Sequence, residues 1–108
     1  MKIKPLPLVF ALLAGLANTA YAQGDAGKEA LYTKSLAATC ANCHGTNGVA
    51  VAGSSVTSLA GLDKAYIIVQ MKAFKAGTRP ATVMHQISKG YSDAQIDVLA
   101  TYFAAQKK

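Results

Sequence analysis

The chain has 108 residues, 52% of them hydrophobic, with eleven basic and five acidic side chains giving a formal charge of +6. That length holds one small domain. The charge is mild, and the lysines are dispersed rather than interleaved with aromatics, which argues against a nucleic-acid binder.

The N-terminus reads as an export leader. Lys2 and Lys4 form a basic tip, an apolar run covers residues 8–16, and small residues stand at Ala20 and Ala22. This pattern predicts cleavage after Ala22 and a mature domain of residues 23–108, in the bacterial periplasm. The apolar run is far shorter than the roughly 20 residues a membrane span needs, so no span is expected after cleavage. No cysteine lies near the cut, which argues against a lipoprotein anchor. The mature domain would have no Trp and only Phe74 and Phe103 as phenylalanines. Domains this small rarely stabilise themselves by their own core, so a further hydrophobic component is expected.

The first predicted helix covers residues 25–38, with Asp25 as its N-cap and Tyr32 and Leu36 on one face. It stops at a cysteine pair. A Gly/Ser/Val-rich loop, residues 45–61, follows. The second helix, residues 63–76, begins at a capping Asp63 and stops at Gly77, with Ile67, Met71 and Phe74 as its apolar stripe. Residues 78–91 form a loop with room for one helical turn after Pro80. The third helix, residues 92–106, opens on a Ser92/Gln95 capping box and buries Ile96, Leu99 and Phe103, with Tyr102 widening that face. No strand pairing is expected, so the fold class is all-α. Loops this long in so small a domain need something to pack against.

The only two cysteines stand in Cys40-Ala41-Asn42-Cys43-His44. Thiols three positions apart on a helical turn can each add across one vinyl group of a haem, and the following histidine can supply an axial nitrogen to the iron. One covalently bound haem c is therefore expected, on Cys40 and Cys43, with His44 as a ligand. The export leader strengthens the reading, because this attachment takes place outside the bacterial cytoplasm. A redox dithiol would want a βαβ context, a zinc site would have to gather Cys40, Cys43, His44 and His85, and a plain disulfide would leave the loops without a core.

Met71, Met84 and His85 are the candidates for the sixth ligand. Met71 lies on a helical apolar stripe, the usual place for a core methionine. Met84 lies in the last loop, forty residues after His44, and is favoured, with His85 or an open position as the alternatives. Thioether sulfur favours ferrous iron and raises the potential relative to two imidazoles.

From Cys40 to His44, through Gly45, Gly48, Ser58-Leu59-Ala60-Gly61-Leu62, Tyr66, Gln70, Phe74, Gly77, Arg79 and Met84, to Ser92-Asp93 and Leu99-Ala100-Thr101-Tyr102-Phe103, the chain resembles class I cytochromes c. The resemblance implies three main helices around the haem, with Tyr32 and Leu36 crossing against Leu99 and Tyr102. It also implies that the backbone carbonyl at Thr57, where relatives often have proline, accepts the N–H of His44. A narrower resemblance, carried by Phe74-Lys75-Ala76-Gly77, Ala81-Thr82-Val83-Met84 and Ile87-Ser88-Lys89-Gly90-Tyr91-Ser92, is to the N-terminal haem domain of the cytochrome subunit of flavocytochrome c sulfide dehydrogenase. Better-known subunits of that kind carry two haem domains, and this chain has one C-x-x-C-H.

Iron held by His44 and Met84 has no open position, so the expected work is electron transfer, not catalysis by the chain itself. Leu59, Ile67, Met71 and Leu99 are expected around the haem. Lys72, Lys75, Arg79 and Lys89 either ring its exposed edge for an acidic partner or are ordinary solvated charges. Tyr66 and Tyr91 either bond a haem carboxylate, meet a partner, or pack. The resemblance implies a flavoprotein (FAD) sulfide dehydrogenase subunit as electron donor. The alternatives are a freely diffusing monohaem carrier serving other redox proteins, and a haem that opens for peroxide or gas by releasing Met84.

Overall fold

The computed structural model describes the backbone of residues 6–108 and the side chains from residue 24 onward. The leader expected at residues 1–22 therefore lies outside the residues described in full. Helix α1 runs Leu6–His44, α2 Lys64–Ala76, α3 Met84–Ile87 and α4 Asp93–Ala104. Single 3₁₀ turns occupy Thr46–Gly48 and Ser88–Gly90. The described residues contain no strand, in keeping with the all-α class I cytochrome c fold. None of their helices is long and apolar enough to cross a membrane. The chain divides into two compact units, Met1–Tyr32 and Thr33–Lys108.

In the first unit, Asp25 is not an N-cap. It lies within α1 and meets Lys28 one turn on at 3.4 Å. Residues 17–24 contain no proline, and α1 runs through Gly24 ahead of Asp25 without a break. Tyr32 belongs to this unit and is 44% exposed.

The second unit carries the rest. The α2 caps fall where the sequence places them: the Asp63 side chain accepts from the Tyr66 N–H, and Gly77 takes a left-handed φ of 75°. The Ser92/Gln95 capping box starts α4, which ends two residues before the expected stop. The helical turn expected after Pro80 is α3. Ile96, Leu99, Ala100 and Phe103 of α4 are buried, and α4 packs chiefly on α2 through Ile67. Leu36, Leu59, Leu62, Ile68, Met71 and Tyr102 pack around that cluster. Lys64 bonds Asp97 at 2.9 Å on the outside of the same helix pair.

Candidate haem-binding site

Helix α1 continues six residues past its expected end, so Cys40, Cys43 and His44 all lie in its last turns. Both cysteines are free thiols. Cys40 is half-buried and packs against the core cluster, whereas Cys43 is exposed. Burial pushes the Cys40 thiol above its usual range, Cys43 adds to that, and a contact with the Thr39 hydroxyl opposes it. One side of the pair therefore faces apolar side chains.

His44 is fixed by the loop that follows it. Its Nδ1 lies 2.6 Å from the Thr57 carbonyl oxygen, the partner expected from the sequence. A carbonyl only accepts, so Nδ1 carries a proton, and in the neutral ring it is Nε2 that keeps the lone pair. This is the tautomer a metal-ligating histidine needs, with a backbone oxygen orienting the ring.

The loop holds that carbonyl in place through its own bonds. Gly45 turns the chain out of α1 at φ 82°, and a Cβ there would lie 1.8 Å from the Val49 oxygen, so only glycine fits. The Leu59 and Ala60 N–H groups donate to the Gly48 oxygen, and the Ala50 N–H donates to Ser58 Oγ. The Gly61 N–H donates to the Phe103 oxygen, anchoring the loop to α4.

Met84 is half-buried at the start of α3. Helix α3 packs against α2. Met71 joins the core, as its stripe position predicts, and its sulfur lies 3.8 Å from Ser88 Oγ. Ser88 is wholly buried and its hydroxyl donates to the Met84 carbonyl oxygen at 2.6 Å, which closes the turn that carries Met84 where it meets Met71 of α2. His85 is half-buried, with a buried Nδ1 that has no hydrogen-bond partner. Among the described residues, no three histidine, cysteine or carboxylate side chains gather as a metal cluster, so the zinc arrangement does not form.

The surface charges take a third course. Lys72 and Lys75 both pair with Asp93, at 3.2 and 3.1 Å. Lys75 also donates to the Tyr91 oxygen at 2.8 Å. The Asp93 carboxyl is held below its ordinary range, first by the Lys75 hydrogen bond and then by Lys72. Arg79 stacks its guanidinium 4.5 Å from the Phe74 ring centre and bonds Gln70. Three of the four basic residues considered for partner docking are thus engaged within the chain. Tyr91 packs on the core and places its hydroxyl 2.6 Å from Thr39, next to Cys40. Thr39 spends its own proton on the Leu36 oxygen at 2.7 Å, so Tyr91 is the donor. This link was not legible in the sequence, since nothing local pairs residues 39 and 91.

Similarity to known proteins decides the family. The cytochrome subunit of sulfide dehydrogenase from Chlorobaculum tepidum is 36% identical over 94% of this chain and 93% of its own length. The chain belongs to the class I cytochromes c. A thiosulfate dehydrogenase electron acceptor from Stutzerimonas stutzeri is 32% identical over 94% of this chain. Cytochrome c4 of Pseudomonas aeruginosa is 35% identical over 89% of it. This cytochrome spans 46% and 45% of the lengths of those two relatives. No protein-family model matches the chain. As a cytochrome c it is an electron-transfer protein that carries haem c. The thiols at helical spacing, one of them against apolar side chains, and a histidine in the ligating tautomer fit that group.

Proposed function

We propose that this cytochrome accepts electrons from a sulfide-oxidising flavoprotein subunit. It does so through one haem c, bonded to Cys40 and Cys43 and ligated by His44 and Met84. It works in the periplasm after residues 1–22 are removed. The observation that carries the site is the hydrogen bond from His44 Nδ1 to the Thr57 carbonyl, at the foot of the Cys40–Cys43 turn. The partner reading rests on the Chlorobaculum relative, a sulfide dehydrogenase cytochrome subunit whose length this chain matches almost fully.

Bound haem supplies a one-electron carrier. The Thr57 carbonyl keeps a proton on His44 Nδ1, so Nε2 would be the nitrogen offered to the iron. Met84 would offer a soft sulfur from a turn that the buried Ser88 hydroxyl closes. His44 and Met84 would together hold the iron and leave sulfide and oxygen no place on it, so the oxidation itself would fall to the flavoprotein. The Stutzerimonas relative, an electron acceptor for thiosulfate dehydrogenase, favours a second reading: a mobile carrier that serves more than one dehydrogenase.

Size exclusion of the native protein separates the two. Haem and flavin absorbance on one peak, with sulfide reducing the haem only when the flavoprotein is present, is expected. Elution as a lone cytochrome that several dehydrogenases reduce would support the mobile carrier instead. Carbon monoxide should bind reduced Met84→Ala readily and the wild type hardly at all. Ready binding to the wild type would remove Met84 from the ligand set.

A further inference from the structure

Asn47 and Gly48 form an Asn-Gly pair three residues beyond His44. In a flexible chain, an Asn followed by Gly loses its amide readily. The backbone nitrogen of Gly48 attacks Asn47 Cγ, a C–N bond forms, the Cγ–Nδ2 bond breaks and ammonia leaves. Water then opens the resulting five-membered imide at one of its two carbonyls, giving aspartate or isoaspartate. No electrons are exchanged, and water is the only co-reactant. Asn47 is exposed and lines a groove of about 290 Å³, so water reaches it.

We infer that Asn47–Gly48 is a latent deamidation site that the native loop holds closed and that opens when the loop unfolds. Three restraints act on it. The Gly48 N–H donates to the Gly45 oxygen at 2.9 Å, so its proton is held away from the amide. The Asn47 backbone sits at φ 54° and ψ 21°, which turns the Gly48 nitrogen toward Asn47's own nitrogen and away from the Cβ side, where ring closure must occur. Finally, the Tyr102 hydroxyl donates to Asn47 Oδ1 at 2.8 Å and fixes the side chain from α4.

The two products differ in what the fold tolerates. Aspartate keeps an oxygen for Tyr102. Isoaspartate inserts a methylene into the main chain and must displace Gly48, which is already so close-packed that a Cβ there would lie 2.7 Å from Phe103 and 3.0 Å from the Ala60 nitrogen. Isoaspartate would also pull apart the Gly48 carbonyl bonds that set the loop under His44. A chain that spends time unfolded would therefore be marked at a position that spoils its refolding.

The test follows amide loss at Asn47 in the mature holoprotein by peptide mass mapping, with enzymatic methylation to count isoaspartate. Loss in buffer should be at least about tenfold slower than in urea, because reaction requires local opening. Tyr102→Phe should speed loss in buffer by about fivefold, one hydrogen bond's worth, and leave the urea rate unchanged. Tyr91→Phe, which loses a comparable bond elsewhere, should not change it. Asn47→Asp should give the native near-UV spectrum. Equal rates in buffer and urea would overturn the proposal. Equal acceleration by the two tyrosine variants would also overturn it, since protection would then reflect global stability rather than this loop.

Discussion

His44 is oriented by a backbone oxygen, and that determines which neighbouring positions matter. Thr57 offers its carbonyl whatever its side chain, so Thr57→Ala should leave the reduction potential of the cytochrome essentially unchanged. Gly45 is the opposite case. A methyl group there meets the Val49 oxygen and sits at a left-handed φ, two faults that local shifts cannot relieve together. Gly45→Ala should cost about 3 kcal/mol in urea denaturation, or prevent holoprotein from accumulating. A loss below about 1 kcal/mol would mean that the turn after His44 is softer than drawn here. The Cys40/Cys43/His44 motif was legible in the sequence and the family resemblance implied the Thr57 partner, whereas the end of α1 at Gly45 lay beyond the expected stop. The bond between Tyr91 and Thr39 was not, because neither residue has a local feature that points to the other.

Helices α2 and α4 are specified mainly by their ends and stripes, and their joint is electrostatic as well as apolar. The Ser92 capping box satisfies two backbone donors at the start of α4. Ser92→Ala should lower stability by about 1 kcal/mol, read as a fall in melting temperature. Asp93 follows it and accepts from both Lys72 and Lys75 of α2. Its carboxyl is held below the ordinary range in the folded chain, so its contribution is fully present above the unfolded value, roughly pH 4. That contribution is lost as pH falls further, through the folded value. Wild type should therefore exceed Asp93→Asn in stability by a constant margin near neutrality, and the margin should close in acid. Added salt should shrink it as well, since all three groups are solvent-accessible. A margin independent of pH would assign the effect to packing.

For the whole molecule, the limiting quantity is apolar interior. The fully buried hydrophobic residues of the described chain are Ala37, Ala60, Ile67, Ile96, Leu99, Ala100 and Phe103, and three of the seven are alanines. Tyr66, Val69, Val83 and Ile87 remain largely exposed on α2 and around α3. Such a core is thin for a domain with two long loops. A Cys40→Ser/Cys43→Ser chain made in a maturation-competent host should lack covalent haem. It should keep helical far-UV signal while losing near-UV signal and a cooperative urea transition. A sharp transition in that variant would show that the polypeptide supports the fold unaided.

The sequence by itself determined the family, the motif and the positions of α2 and α4, because caps and apolar periodicity act within a few residues of one another. The stripe position of Met71 also set it in the core, and the family resemblance implied the His44 acceptor at Thr57. Tertiary structure alone decided that α1 runs on through the cysteines, that Lys72 and Lys75 share Asp93, and that Tyr102 reaches Asn47. Helix α1 shows the local limit, since it runs through Gly24 and Asp25, where local preference points to a start. The other features join residues between 18 and 55 positions apart. Pairings at that range depend on how helices and loops come together, and no local preference of either residue specifies them.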